Sequence, residues 1–246
     1  MKVRTTLAIT AAAIGLAVPA GARAADPIVT PLAHIQPGAP LTDPTQYPDN
    51  TIPYSFHRCT MGFILADPRN ALYMVTAGHC VTRKGARTYD EDGRAVGTVV
   101  FQFQSGTDDM ALVRIDRARY RDVNPSVRDW GGPTGVATPS TAEPLDQVRF
   151  SGFSFLLGDI PYTRARTGIL IKQDAVHYMA ETSAAEGDSG APFIDTRTGE
   201  AIGIVRDFGL TDAPPVTDDG PTMQRILMLL ARAGFRLRLL TAPYYR

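Results

Sequence analysis

The sequence predicts an all-β protein with a single helix near its C-terminal end. Three observations lead there. Gly 22 and Pro 19 in 246 residues imply many turns and short elements, which a helical bundle does not need. Most apolar runs are short and bounded by turn residues, as strands are. One stretch alone, residues 223–240, spaces Leu, Ile and Met at three and four residues with arginines between them. Composition agrees with a folded chain, since 44% apolar and 20% charged residues exclude general disorder. Lys+Arg and Asp+Glu both number 25, so no basic surplus points to nucleic acid as a partner. The length suits one large domain or two of about 100 residues.

Taken in order, residues 1–24 read as a cleaved signal peptide. Lys2 and Arg4 precede an apolar run over 7–18, and Ala22-Arg23-Ala24 supplies a small-x-small cleavage pattern. The run is about 12 residues, short of the roughly 20 that span a bilayer. A secreted, extracellular protein with no membrane association after cleavage is expected, in a compartment that permits a disulfide. Residues 25–53 hold Pro27, Pro31, Pro37, Pro40, Pro44, Pro48 and Pro53. That density predicts an extended arm or a removable pro-segment rather than a packed element.

Residues 54–130 read as the first β unit. Runs over 60–65 and 71–76 flank the turn Ala66-Asp67-Pro68-Arg69-Asn70, a hairpin signal. Val99, Phe101 and Phe103 alternate with Val100, Gln102 and Gln104, the period of a half-buried strand, and another strand covers 110–115. A Pro/Gly-rich stretch follows, and residues 131–144 are expected to be a linker. Residues 145–246 form the second unit, with strands over 148–155, 167–172, 175–181, 191–195 and 201–206. The terminal helix is expected to span 223–240 and pack on this unit, with Gly234 its weak point.

Chemistry concentrates in three short stretches. Thr76-Ala77-Gly78-His79-Cys80 follows a strand, Asp108-Asp109-Met110-Ala111-Leu112 opens one, and Gly187-Asp188-Ser189-Gly190 sets a serine between glycines. A serine hydroxyl is a weak nucleophile until an imidazole takes its proton. The imidazole in turn needs a carboxylate to fix its tautomer and stabilise its cation. Glycines beside the serine let backbone N–H groups approach a developing oxyanion.

Together, in the order His, Asp, Ser, these stretches resemble the chymotrypsin-like (trypsin-fold) serine proteases, in particular secreted bacterial members. The resemblance covers roughly residues 54–240. It implies a double barrel of two antiparallel β-barrels with a cleft between them. It also implies a serine endopeptidase acting on peptide or protein substrates as a monomer, with no cofactor. By the same resemblance His79 is the general base, Asp109 its orienting carboxylate and Ser189 the nucleophile. Asp108 competes with Asp109, but the Met-Ala-Leu that follows favours the second. The N–H groups of Gly187 and Ser189 would form the oxyanion hole, and Cys59 and Cys80 would pair as the family bridge. The imidazole acts only when neutral, so activity should rise with pH across the ordinary histidine range. His34, His57 and His177 lack motif context and read as ordinary polar residues.

Other classes fit less well. An α/β-hydrolase would place a glycine two residues after the serine, where Ala191 stands, and its histidine last. Cys59, His79 and Cys80 offer at most three metal ligands, two of them adjacent, so no metal site is expected. The alternative kept open is a protease fold with an altered cleft, acting as a binding module or on a non-peptide ester. Its motive is Arg206-Asp207-Phe208, which stands where the family commonly has Ser-Trp-Gly.

Two further expectations follow from the resemblance. The family's activating amino terminus has only a partial echo in Ile28-Val29-Thr30, so an internal arginine is expected to pair with Asp188. Arg149 is the first choice, with Arg164 and Arg166 as alternates. The substrate pocket would have Ser183 and Ala184 at its floor, Phe208 narrowing one wall and Gly220 leaving the other open. An uncharged floor predicts a preference for uncharged side chains, unless Asp207 or Glu186 swings in.

Overall fold

The structure is a computed structural model and describes residues 32–45, 58–154, 164–209 and 217–244. The signal segment, Ile28-Val29-Thr30 and His57 lie outside the described residues. Strands β1 (Pro40–Thr42), β2 (Arg58–Thr60), β3 (Ile64–Ala66), β4 (Leu72–Thr76), β5 (Arg87–Tyr89), β6 (Ala95–Ser105) and β7 (Asp108–Ile115) come first. Then follow β8 (Gln147–Ser151), β9 (Ala165–Gln173), β10 (His177–Glu181), β11 (Pro192–Asp195), β12 (Ala201–Ile204), β13 (Asp207–Gly209) and β14 (Thr217–Pro221). Helix α1 (Met223–Arg232) and β15 (Arg238–Leu239) close the chain. The strands make two antiparallel sheets, ordered β15-β3-β4-β7-β6-β5-β1-β2 and β12-β11-β8-β9-β10-β14-β13. Each sheet curls into a barrel, and the expected all-β double barrel is the observed fold.

The continuous apolar run of β7 has a direct cause. Ala111, Val113 and Ile115 face the interior of the first barrel, packed with Leu41, Met61 and Met74. Met110 and Leu112 face the other way, into a second core shared with Ile194 and Ile204 of the second barrel and Ile226 and Leu230 of α1. Both faces of the strand are covered, so both sets of alternating residues are apolar. The second barrel fills with Leu170, Tyr178 and Ile202 around Phe150 and Phe193, whose rings stack at 4.7 Å. Each such side chain stabilises by about 1.5–3 kcal/mol over leaving it in water.

Several expectations are corrected here. The Pro-rich segment is packed where it is described: Ile35, Ala39 and Leu41 are buried, and β1 pairs with both β2 and β5. Pro40 is the first residue of its strand, where a missing N–H is tolerated. The helix is shorter than 223–240. Thr222 caps it by accepting the Arg225 N–H at 3.2 Å, and Gly234 at φ +90° ends it. The chain then turns back, and β15 adds to the edge of β3. The helix packs between the barrels rather than on the second alone. The first sheet therefore draws β1 and β15 from outside residues 54–130.

Candidate active site

β4 and β7 pair so that Thr76 stands opposite Ala111. That register brings the short helical turn Gly78–Cys80, just past the end of β4, beside Asp109 near the start of β7. The His79 Nδ1 and Asp109 Oδ2 lie 2.5 Å apart. The other carboxylate oxygen accepts the His79 main-chain N–H at 3.0 Å and the Gln104 amide at 3.1 Å. Asp109 is thus held buried with both oxygens engaged, while the His79 ring is 43% exposed. Asp108 is occupied elsewhere, in a two-point ion pair with Arg225 of α1 at 2.9 and 2.6 Å.

Ser189 sits in the turn between β10 and β11, and the first barrel shapes that turn. Thr60 N–H donates to the Ser189 carbonyl at 2.8 Å, and its hydroxyl donates to the Gly187 carbonyl at 2.8 Å. Gly187 at φ +100° and Gly190 at φ +91° adopt a conformation that side chains resist. Among the described residues the N–H groups of Gly187 and Ser189 have no acceptor. A cavity of about 620 Å³ brings His79, Asp109 and Ser189 together with Glu186, Arg206 and Asp207. A larger cavity, about 950 Å³, lies against Arg114 and Asp116 at the other end of β7 and holds no comparable constellation.

The disulfide Cys59–Cys80 joins β2 to the His79 turn. Its sulfurs are bonded to each other, so they are not thiolate ligands for a metal. Asp188 is buried and meets Arg166, not Arg149, through contacts of 2.7 and 2.5 Å. Burial pushes its carboxyl up, and Arg166 with the N–H groups of Ala185 and Ser154 opposes that. Arg149 instead lies over the Trp130 ring and donates to the Tyr244 hydroxyl at 2.8 Å. The choice between them is a matter of register, since β8 and β9 pair Phe150 with Arg166 and Arg149 takes the opposite face.

Residues 60–204 match the trypsin-like peptidase domain, more than half of the chain. The chain belongs to the trypsin-like peptidase family. It is a serine endopeptidase by that membership. Among solved structures it is similar to Thermobifida fusca protease A, at 24% identity and a TM-score of 0.54 over 85% of this chain and 100% of that one. It is also similar to the Nocardiopsis protease NAPase, at 20% identity and a TM-score of 0.56 over 83% of this chain and 98% of that one. At such identities the likeness is one of fold. No curated protein matches the sequence.

The peptidase's expected pocket residues fare unevenly. Glu186 and Asp207 both line the catalytic cavity, whereas Ser183, Ala184 and Gly220 do not. A Cβ on Gly220 would come within 1.9 Å of the Ile204 carbonyl, so this glycine lets strands approach and opens no wall. The Phe208 side chain lies outside what is described. The Ser183 carbonyl accepts from Arg166 at 3.0 Å, and the Ala184 N–H donates to the Thr182 hydroxyl at 3.2 Å, close to the carboxyl of Asp218. Asp218 is 1% exposed and no sequence signal marked it, because only the β10–β14 register brings it there. Arg206 was also missed as a bridging group. It pairs with Asp219 at 2.8 and 2.7 Å and donates across the cleft to the Gly106 carbonyl at 3.1 Å.

Proposed function

We propose that the protein is a secreted serine endopeptidase that cleaves peptide bonds through an acyl-enzyme. The observation that carries this reading is the 2.5 Å His79–Asp109 contact in a cavity shared with Ser189. Asp109 holds the imidazole with Nδ1 toward itself, leaving Nε2 to take the Ser189 proton. The serine oxygen attacks the substrate carbonyl, and the oxyanion forms where the Gly187 and Ser189 N–H groups stand without acceptors. His79 then returns the proton to the leaving amine, and water repeats the sequence on the acyl-enzyme. Arg166 serves as the cation under Asp188 that holds the nucleophile turn. Secretion is supported by the character of residues 1–24 and by the disulfide.

A fluorophosphonate probe tests the reading. Labelling of the wild type should be lost in Ser189→Ala, and hydrolysis of a peptide library should fall by about 10⁴-fold or more. A second reading has one observation in its favour, the Arg206 side chain that spans the cleft to Gly106. A protein that labels but cleaves no peptide would act on a non-peptide ester or chiefly bind.

A further inference from the structure

One side chain crosses the catalytic cavity. Arg206 stands between β12 and β13 and lines that cavity together with His79 and Ser189. Its Nε and Nη2 donate to the two carboxylate oxygens of Asp219 at 2.8 and 2.7 Å. Its Nη1 reaches the turn between β6 and β7 and donates to the Gly106 carbonyl at 3.1 Å. Ser105 and Gly106 line the same cavity. The guanidinium thus ties the second barrel to the first inside the space that holds the nucleophile.

The two ends of this tie are unequal. On the second barrel the two-point pair with Asp219 fixes both the charge and the plane of the guanidinium. The Arg206 main-chain N–H donates to the Asp219 carbonyl at 2.8 Å as well, and His177 Nε2 stands 3.2 Å from the same carboxylate. On the first barrel there is one hydrogen bond, to a turn with space around it: a Cβ on Gly106 would meet nothing within 4 Å. The Gly106 end is therefore the one that yields. While it holds, no polypeptide passes between its two atoms, because an extended chain keeps about 4.8 Å from a neighbour on each side.

We infer that Arg206 is a latch across the cleft, and that it selects substrates by the length of chain they carry past Gly106. The inference rests on the peptidase reading above and adds a rule by which that site chooses among substrates. A small ester or a very short peptide reaches Ser189 with the latch closed. A longer chain enters only after Nη1 has released Gly106, while Nε and Nη2 keep their hold on Asp219. The affinity for long chains is then reduced by the fraction of time the latch stands open, and short substrates escape that reduction.

The experiment compares an octapeptide with a small nitrophenyl ester on wild type, Arg206→Met and Arg206→Lys. Met keeps the apolar stem and removes every donor. Lys keeps a cation on Asp219 but, as a compact point charge, does not span to Gly106 at the same time. In both variants KM for the octapeptide should fall by about 10-fold, as for a latch open about a tenth of the time. The gain should lie in KM rather than kcat, and the peptide-to-ester ratio of kcat/KM should rise with it. Should Arg206→Met fail to fold, Arg206→Lys decides. A ratio that falls shows Arg206 holding the substrate, and an unchanged ratio shows the contact to be idle; either result, with fluorophosphonate labelling intact, overturns the latch alone. A wild type that neither labels nor cleaves overturns the peptidase reading, and this inference with it.

Discussion

Asp218 shows how a single side chain can set a stability profile. Its carboxyl is raised by burial to about 7, while an unfolded aspartate titrates near 4. The native protein thus keeps this proton longer than the unfolded chain does. Stability from this group is fully present below about pH 4 and is lost as pH climbs toward 7. Asp218→Asn removes the charge that causes the loss. The variant should match the wild type at pH 4 and exceed it by about 1–3 kcal/mol at pH 8, measured by urea unfolding at both values. Arg166 gives the opposite case. Arg166→Met leaves Asp188 buried and unpaired, and should destabilise by about 3–5 kcal/mol at pH 8.

Elements differ in how local their causes are. The cap of α1 is local: Thr222→Ala removes the acceptor for the Arg225 N–H and should cost about 1 kcal/mol, read as a fall in Tm. Such local signals were legible in the sequence. The helix was expected to run to 240 and ends before Gly234, but the hairpin around Asp67 and the strand at β7 follow from residue type and spacing. So did the His79, Asp109 and Ser189 stretches, whose glycines and neighbours form motifs. The strands β5 and β14 were not legible, because Arg-Thr-Tyr and Thr-Asp-Asp-Gly-Pro carry no alternation. They are strands because neighbouring strands supply hydrogen bonds. The partner of Asp188 was left open between Arg149, Arg164 and Arg166 for the same reason, since register alone decides which face Arg149 and Arg166 take. Pro40 misled in the other direction, its strand being held by β2 and β5 rather than by its own propensity.

At the scale of the molecule, the halves are joined at the catalytic centre and again at the tail. Thr60 makes the first link, to the Ser189 turn, while Cys59–Cys80 lies within the first barrel and closes a separation of 21 residues; its reduction should cost about 3 kcal/mol by loop entropy, read as a lower Tm in dithiothreitol. The tail is the second fastening. Leu240 N–H donates to Ile64 of the first sheet, and Ala242 N–H to Pro133 between the barrels. The Tyr244 hydroxyl donates to the Thr196 carbonyl of the second unit and accepts from Arg149. The residues beyond the helix thus bolt one barrel to the other. The consequence concerns cooperativity. With the bolt in place neither barrel can melt while the other stays ordered, and calorimetry should record one heat-absorption peak. A chain ending at Gly234 should split that peak in two, the first barrel melting at the lower temperature because it alone loses an edge strand.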